Sequence, residues 1–428
     1  MKLRGFVDDI ALAKLLGTTL TVSAAGKLLV LAAALLLARL VGPEEYGFYV
    51  FVQGLALLTA QFAALGWPTL MLRLVPRFRE EGEKELLNGL MRASNLVLGA
   101  TGILSLAILA AIGMTIGHMS SDPLVGTGWI LAGVLVPVMA WRLLRRAQLA
   151  AWRRPRVAIA LDECLPPLGI LAVIVVVDVT ATKAIFGYGL ASLVGVFVAT
   201  FILMRSSRFG EVTARIEWRE WSTIAFFFLL GVSAKFIMNK TDIVMLPMLA
   251  DLEQTGLYGA AFRLTYVLTF PQVVLSMVMS PRFSAAYSAS NFGLLKREVV
   301  RAYIFTVTSS LVLVVPLVLW PAEIIDLVYG QAYADAPGIL TVLAVAQFLA
   351  AVTIPGVALG LMIGHERAVS ALTVFALLMN IGLNFALIPL YLSLGAAIST
   401  LTAMVVFAFG VLIMTNFWLR HLRPAGRA

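Results

Sequence analysis

Cysteine, histidine and charged residues are scarce in this sequence. A single cysteine, Cys164, excludes a disulfide framework within one chain. The three histidines are scattered, so no cluster of His and Cys offers a metal site. Only 13% of the residues are charged and 61% are hydrophobic, whereas soluble domains average about 25% and about 45–50%. This composition excludes a soluble globular protein, and we expect the lipid bilayer to be its solvent.

Motifs for ATP hydrolysis and for hydrolytic catalysis are also missing. The sequence has no GxxxxGK[ST] phosphate loop, because "AAGKLL" at 24–29 lacks both the first Gly and the Ser/Thr. No Ser/His/Asp set is apparent, and the longest loop expected outside the membrane, near 321–337, is too short for a catalytic head. We therefore expect no enzyme and no ATPase. Ion gradients or the supply and removal of substrate would then drive any transport.

Long hydrophobic runs are what the sequence has instead. A helix needs about 20 apolar residues to cross the hydrocarbon core, and twelve runs approach that length. We predict an all-α polytopic membrane protein with twelve transmembrane helices in two six-helix lobes, residues 1–210 and 211–428. The predicted spans lie near 18–40, 48–72, 92–117, 125–144, 157–177, 184–204, 223–249, 257–280, 300–320, 338–363, 369–390 and 395–418.

The positive charges orient these spans. Of the 32 Lys and Arg residues, 26 lie in the terminal segments and in alternate loops, and only Arg39 and Lys183 lie on the opposite side. The positive-inside rule places the richer side in the cytoplasm, together with both termini. This asymmetry accounts for the net charge of +9. It therefore removes the reason to expect nucleic acid as a partner.

The two halves of the sequence repeat a short motif. "GPEEYGFY" at 42–49 and "DLEQTGLY" at 251–258 are both acidic turns that end in Gly-apolar-Tyr. Each is followed by an apolar run that ends at "PRF", at 76–78 and at 281–283. Six spans per half give both halves the same orientation, as in parallel repeats related by an axis along the membrane normal. In such folds the substrate path lies between the lobes.

Deep within the predicted spans we place four cations and one acid. A charge at this depth costs at least ~2.5 kcal/mol on insertion scales. The cations exceed Asp242 by three charges, which favours a hydrated cavity that binds an anion such as phosphate or pyrophosphate. Snorkelling of the longer side chains to the interface is the structural alternative. The residues expected to bind substrate in this cationic cavity are Lys27, Lys235, Lys240, Arg263 and Tyr266.

Helical spacing assigns these residues to faces. Lys235, Asn239 and Asp242 are spaced i, i+4 and i+7, which predicts one face of a continuous seventh helix. In the first helix Ser23 and Lys27 belong to one polar stripe. Asp242 is the only acid that we place deep in a span.

A second group of polar residues offers oxygen atoms. Asn380 and Asn384 are spaced i, i+4 on the eleventh predicted helix, and Thr400 lies on the twelfth. Oxygen ligands of this kind suit Na⁺ or a hydrated cation, particularly if Asp242 reaches them. Interhelical hydrogen bonding by the amides is the alternative interpretation, and it is common in membranes.

Three stretches carry a resemblance to a known family. They are "LARLVGPEEYGFYVFVQGLALLTAQFAALGWPTLMLRLVPRF", "NKTDIVMLPMLADLEQTGLYGAAFRLTYVLTFPQVVLSMVMSPRF" and "NIGLNFALIPLYLSLGAAIST". In order and spacing the chain resembles the polysaccharide or O-antigen-type lipid-linked oligosaccharide flippases of the multidrug/oligosaccharidyl-lipid/polysaccharide exporter superfamily. The resemblance implies a fold like the multidrug and toxin extruders. It also implies transport of undecaprenyl-pyrophosphate-linked sugars from the inner to the outer leaflet.

The resemblance also implies roles for particular residues. Superfamily members place cations on helices one, seven and eight near the pyrophosphate, and Lys27, Lys235 and Arg263 match by position. Related lipid flippases bind Na⁺ through an acid on helix seven, two Asn or Asp residues on helix eleven and a Thr on helix twelve. The residues at those places here are Asp242, Asn380, Asn384 and Thr400, with Asn384 standing where an acid would bind more strongly.

Other functions stay open at this point. A drug/cation antiporter of the same fold should prefer acids in its cavity, and a membrane glycosyltransferase, ligase or polymerase should carry larger external loops. For the flippase we expect Na⁺ or H⁺ coupling and no cofactor. Its partners would be membrane lipids, the lipid-linked glycan and polysaccharide polymerase or export machinery. We place it in the inner (plasma) membrane.

Overall fold

Helices make up the regular structure of the described chain. The structure is a computed structural model and describes residues 2–119, 123–206, 213–238 and 240–421. In chain order the helices are α1 (Lys2–Ala63), α2 (Trp67–Glu81), α3 (Lys84–Met119), α4 (Pro123–Ala151), α5 (Pro155–Ile159), a π-helical turn (Ala160–Cys164), α6 (Leu165–Val176), α7 (Ala181–Ser206), α8 (Trp218–Met238), α9 (Thr241–Leu249), α10 (Leu252–Thr265), a 3₁₀ turn (Tyr266–Leu268), α11 (Thr269–Ser288), α12 (Phe292–Leu319), α13 (Pro321–Tyr329), a 3₁₀ turn (Gln331–Tyr333), α14 (Pro337–Met362) and α15 (Glu366–Arg420).

Eight helices of the described chain are long and apolar enough to cross a membrane. Large apolar side chains on these helices face outward, with exposed fractions of 84% for Val175, 72% for Val312 and 70% for Met204. Exposure on this scale is unfavourable in water and is expected where lipid covers the surface. The chain is thus a multi-pass membrane protein, and the number of twelve crossings stays a prediction.

Helices cover all twelve predicted runs, but two helices contain two runs each. In α1 the backbone leaves the helical region at Gly42 (φ 80°, ψ 172°), a conformation that glycine adopts readily. Pro43 follows and suits the first turn of the next arm. In α15 the break is at Leu392 (φ 53°, ψ −135°).

The break in α15 makes a hairpin. The Asn380 side chain donates to Thr400 Oγ1 at 3.3 Å, although 20 residues of straight helix would span about 30 Å. At the bend, a Cβ on Gly395 would collide with the carbonyl of Leu387. The two arms of α15 therefore lie side by side and antiparallel.

Four predicted spans are interrupted helices. The second is broken between α1 and α2, where Leu65 and Gly66 have positive φ. The fifth contains the π turn, and the eighth contains the 3₁₀ turn between α10 and α11. The seventh divides into α8 and α9. The prediction of a continuous seventh helix is therefore wrong.

The chain divides into two compact units. Unit one comprises Met1–Val41 and Phe48–Ser233, and unit two comprises Gly42–Gly47 and Ala234–Ala428. The predicted lobe boundary at 210–211 falls outside the described residues.

The repeated motifs meet inside unit two. A Cβ on Gly47 would collide with the carbonyl of Leu252, and a Cβ on Gly256 would collide with the carbonyl of Pro43. Glycine is therefore required at both places, because backbone contacts backbone with no room for a side chain. The contact fixes the start of α10, which carries part of the site described next.

Candidate functional site

A buried carboxylate, Asp242, lies in the first turn of α9. The chain leaves α8 at Met238 and Lys240 precedes the first residue of α9. Across this break the Lys240 amide donates to the Ile237 carbonyl at 2.8 Å, and Thr241 Oγ1 donates to the same carbonyl at 2.8 Å. The break turns Asp242 into the interior of unit two, where it is 5% exposed.

Three neutral side chains donate hydrogen bonds to the Asp242 carboxylate. Asn384 Nδ2 donates to Oδ1 at 2.6 Å. The Tyr258 hydroxyl donates to Oδ2 at 2.5 Å, and the Thr400 hydroxyl donates to the same oxygen. These donors stabilise a charge that would otherwise be too costly to bury in an apolar interior.

The hairpin of α15 assembles the remainder of the site. Asn380 and Asn384 come from its first arm and Thr400 from its second. Asn384 Nδ2 also donates to Asn380 Oδ1 at 3.4 Å, and Asn380 Nδ2 donates to Thr400 Oγ1 at 3.3 Å. The structure thus brings together all four residues that the sequence grouped with a cation, Asp242, Asn380, Asn384 and Thr400.

Tyr258 is the member of this cluster that sequence reasoning missed. It is the tyrosine that ends the second copy of the repeated motif, and it is buried in α10. The sequence indicated this residue only by its position, at the end of the repeated motif and 16 residues after Asp242. The tyrosine of the first copy, Tyr49, has a different partner and accepts from Gln53 Nε2 at 2.8 Å.

A small cavity with both apolar and hydrophilic lining residues adjoins the carboxylate. It has a volume of about 40 Å³, and a site that holds one water needs about 10–15 Å³. The buried oxygen Asn384 Oδ1 has no hydrogen-bond partner within the described part of the chain. The hydrophilic side chains that line the cavity are Asp242, Gln347, Thr353, Thr373, Asn380 and Thr400.

The donor set fits a small hard cation or a proton. Carboxylate, amide and hydroxyl oxygens are the ligands that such cations prefer. A rotation of either amide by half a turn exchanges an N–H for a carbonyl oxygen. The same side chains can therefore stabilise Asp242 in the absence of a cation and present oxygens to one that enters.

A cationic pair lies elsewhere in unit two. Lys240 lies within electrostatic reach of Arg263 and of the Tyr266 hydroxyl. The Arg263 guanidinium lies 5.4 Å from the centre of the Tyr266 ring. Three of the five residues predicted to bind substrate are thus grouped in one unit, with two positive charges between them.

Phenol groups surround Arg263. The guanidinium is within electrostatic reach of the Tyr46 and Tyr329 hydroxyls. Tyr329 also donates to the carbonyl of Ala260 at 2.9 Å and packs against Tyr333, which tethers α10 to α13. Burial raises the pKa of Tyr329 and of Tyr333, so both phenols stay neutral at physiological pH. Neutral phenols leave the positive charge of Arg263 in place.

Of the other two predicted cations, only Lys27 has a described side chain. Lys27 lies on α1 in unit one and is half-buried. On its stripe, Ser23 donates to Glu163 Oε2 at 2.9 Å, so this face of α1 contacts an acid of unit one. The side chain of Lys235 lies outside the described residues, as does Asn239.

A second ionic cluster, in unit one, was not predicted. Arg142 Nε lies 3.1 Å from Asp162 Oδ1, and Arg146 pairs with both Asp162 and Glu163. The side chain of Asp162 is only 8% exposed. Asp242 is therefore not the only buried acid in the described chain, and Asp162 lies within the Pro155–Val176 helix that is apolar enough to span a membrane. The π turn brings Asp162 and Glu163 to two arginines at the end of the fourth predicted span.

The fold and the site define a multi-pass helical membrane protein with a buried carboxylate and a cationic pair. The sequence matches the model of the polysaccharide biosynthesis protein family over residues 12–287. The chain belongs to this family. No curated protein matches it.

Solved structures show what the fold is similar to. An inward-facing multidrug resistance MATE family transporter of the MOP superfamily is 16% identical with a TM-score of 0.73, over 95% of this chain and 99% of that one. The lipid II flippase MurJ in an inward closed conformation is 15% identical with a TM-score of 0.70, over 92% and 87%. A MOP superfamily transporter from Pyrococcus furiosus Vc1 is 18% identical with a TM-score of 0.60, over 94% and 95%. The chain shares the fold of these transporters, as the resemblance to the multidrug and toxin extruders predicted.

Proposed function

We propose that this protein is a flippase for a polyprenyl-pyrophosphate-linked oligosaccharide, a precursor of polysaccharide. It moves this lipid from the cytoplasmic to the outer leaflet of the inner (plasma) membrane by alternating access, with both termini in the cytoplasm. The observation that carries the proposal is the pair of cations, Lys240 and Arg263, among neutral phenols in a chain of the polysaccharide biosynthesis family.

The pyrophosphate group is the part of the cargo that this pair would bind. Arginine offers a planar fork that matches phosphate oxygens, and lysine adds a compact point charge. Tyr266 lies beside both cations and can donate a further hydrogen bond. The glycan itself would be recognised by other groups, so the pair serves any lipid with this head group.

In this proposal the Asp242 cluster couples transport to an ion gradient. Na⁺ or a proton would bind there, and its movement down a gradient would drive the transport cycle. The buried acceptor Asn384 Oδ1 and the neighbouring cavity support a cation. The protein would then be a transporter without an enzymatic step or a cofactor. Its product in the outer leaflet would be the substrate of polymerase or export machinery.

A drug/cation antiporter of the same fold is the second candidate. The MATE neighbours and the buried acid Asp242 favour it. The size of the cavity at Asp242, about 40 Å³, argues against it, because drug-sized ligands occupy about 300–1,000 Å³. All three donors on the carboxylate would also have to be displaced by a bulky cation. We therefore favour the flippase.

The test is leaflet-resolved quantification of lipid-linked oligosaccharide in cells that lack this protein. We expect build-up on the cytoplasmic leaflet, cured by the wild type but not by Lys240→Ala or Arg263→Gln. Lys296→Ala removes an exposed lysine at the start of α12 and is the matched control. An unchanged leaflet ratio on deletion would contradict the proposal, and efflux of cationic dyes would be measured next.

A further inference from the structure

Three aromatic rings of α10 join the Asp242 cluster to the cationic pair. Tyr258, Phe262 and Tyr266 are spaced i, i+4 and i+8, so they follow one face of the helix and continue into the 3₁₀ turn. The rings of Tyr258 and Phe262 are stacked with centroids 6.1 Å apart. Phe262 meets Tyr266 edge to face at 5.6 Å. We name these three residues the aromatic ladder.

Each end of the ladder is held by one of the two sites. At one end the Tyr258 hydroxyl donates to Asp242 at 2.5 Å. At the other, the Arg263 guanidinium lies 5.4 Å from the centre of the Tyr266 ring, and Lys240 lies within electrostatic reach of the Tyr266 hydroxyl. Between them, Phe262 lines the cavity beside Asp242.

A cation that binds Oδ2 of Asp242 competes with the hydroxyl that holds the first ring of the ladder. The carboxylate oxygen Oδ2 accepts from both Tyr258 and Thr400, and a bound cation or proton needs a place on the same carboxylate. The Thr400 and Tyr258 hydroxyls can each turn a lone pair toward the cation. The Tyr258 oxygen, however, lies at the end of a rigid ring, so it can move to make room only together with that ring. Tyr258 is 1% exposed, so its motion displaces the ring stacked on it.

The far end of the ladder lies at a change of helical geometry. α10 ends at Thr265, and a 3₁₀ turn at Tyr266–Leu268 separates it from α11. A 3₁₀ turn differs from an α-helical turn by one residue in its hydrogen bonding, and such turns within helices often mark hinges. A shift of Phe262 would bias this turn, and with it the position of Tyr266 beside the cations.

We propose that the aromatic ladder couples cation binding at Asp242 to pyrophosphate binding by Lys240 and Arg263. Tyr258 and Phe262 are positioning residues in this coupling, and neither binds the pyrophosphate. The inference rests on the proposed function, because it assumes both ligands. Linkage requires the effect to be mutual, so that each ligand changes the affinity of the other by the same factor.

Electrostatics alone also couples the two sites, and its contribution makes each ligand strengthen the binding of the other. Neutralising Asp242 with a cation removes a negative charge from unit two, which strengthens the attraction of Lys240 and Arg263 for an anion. The ladder contribution is separable, because replacing Phe262 by another uncharged residue leaves every charge in place. Tyr258→Phe likewise keeps the ring and removes only the bond to Asp242.

The experiment titrates the purified full-length protein with Na⁺ by calorimetry, with and without farnesyl pyrophosphate, at constant ionic strength. For the wild type we expect farnesyl pyrophosphate to raise the Na⁺ affinity about fivefold or more. Fivefold is the lower end of the range of coupling between allosteric sites. Phe262→Leu should bind each ligand alone and reduce the coupling to below twofold. Tyr258→Phe removes a hydrogen bond to Asp242, so its Na⁺ affinity should change, and its coupling should also fall below twofold. Phe409→Leu, which replaces an exposed ring of α15, is the matched control.

Each outcome decides something different. If the wild type binds neither Na⁺ nor farnesyl pyrophosphate, the proposed function fails. If both bind independently, the flippase stands and the coupling is refuted. If Phe262→Leu folds, as size-exclusion chromatography and thermal unfolding will show, and retains the coupling of the wild type, the charges act alone and the ladder has no such role.

Discussion

The contact between Gly47 and Gly256 yields a prediction that can be worked out from the geometry. An added Cβ at Gly47 would lie 2.7 Å from the Gly256 nitrogen, and one at Gly256 would lie 2.7 Å from the Pro43 carbonyl carbon. Every obstructing atom is backbone, so no side-chain rotation relieves the collision. We expect Gly47→Ala and Gly256→Ala each to lower the free energy of unfolding by about 3 kcal/mol, the upper end of the range for overpacking.

The double variant sharpens this prediction. Once one Cβ has forced the two segments apart, the second has room, so the two losses should not add. We expect Gly47→Ala/Gly256→Ala to lose about 3–4 kcal/mol rather than about 6, an interaction of the size found for residues in contact. Reversible unfolding by SDS in mixed micelles, followed by circular dichroism, measures all three values.

Gly382→Ala supplies the control for these variants. Gly382 lies in α15 with nothing within 4 Å of its added Cβ. Alanine favours a helix over glycine by about 1 kcal/mol, so this variant should be neutral or slightly more stable. Additive losses in the double variant, or single variants as stable as Gly382→Ala, would refute the close contact between the repeated motifs.

Three further predictions concern the buried charges. Asp242→Asn should abolish the dependence of thermal stability on Na⁺, because the amide cannot supply the charge that binds the cation; a Na⁺ response that persists would place the ion elsewhere. Asn384→Asp sets a second carboxylate at hydrogen-bond distance from the first, so it should lower stability without Na⁺ and tighten Na⁺ binding in the same assay; equal Na⁺ affinity would count against these ligands. Arg142→Ala should cost about 3 kcal/mol in SDS unfolding by leaving Asp162 with one partner fewer, whereas Arg142→Met/Asp162→Leu should be near neutral; a double variant as unstable as the single would show that the pair does more than neutralise itself.

The grouping of polar residues around Asp242 was the part of the structure that sequence reasoning predicted best, and the binding of a cation there stays a prediction. Asn380 and Asn384 are four residues apart, so they share one face of a helix. The eleventh and twelfth predicted spans are consecutive and antiparallel, which allows Thr400 to lie beside them. The sequence left undecided whether Asp242 contacts these residues. The break before α9 places it there. No proline or glycine marks that break, which lies at Met238–Thr241, so the pattern gave no reason to interrupt the helix.

Two parts of the structure escaped prediction for physical reasons. Tyr258 is one tyrosine in an apolar helix, and only the fold shows that its hydroxyl faces a carboxylate. Asp162 and Glu163 stand in a run whose high average hydropathy conceals their charges. Arg142 and Arg146 were counted only among the positive charges that orient the spans. Their pairing depends on a π turn, and no residue pattern distinguishes such a turn from the α-helix around it.

The π turn at Ala160–Cys164 has a consequence for comparing this chain with its relatives. The Leu165 amide donates to the carbonyl of Ala160, five residues back, so this turn holds one residue more than an α-helical turn. Deleting one residue here would rotate the two flanking segments relative to each other by about 100°. A relative whose fifth span is a regular α-helix therefore matches this chain only across a one-residue gap. An alignment without that gap would equate lipid-facing positions of one protein with interior positions of the other.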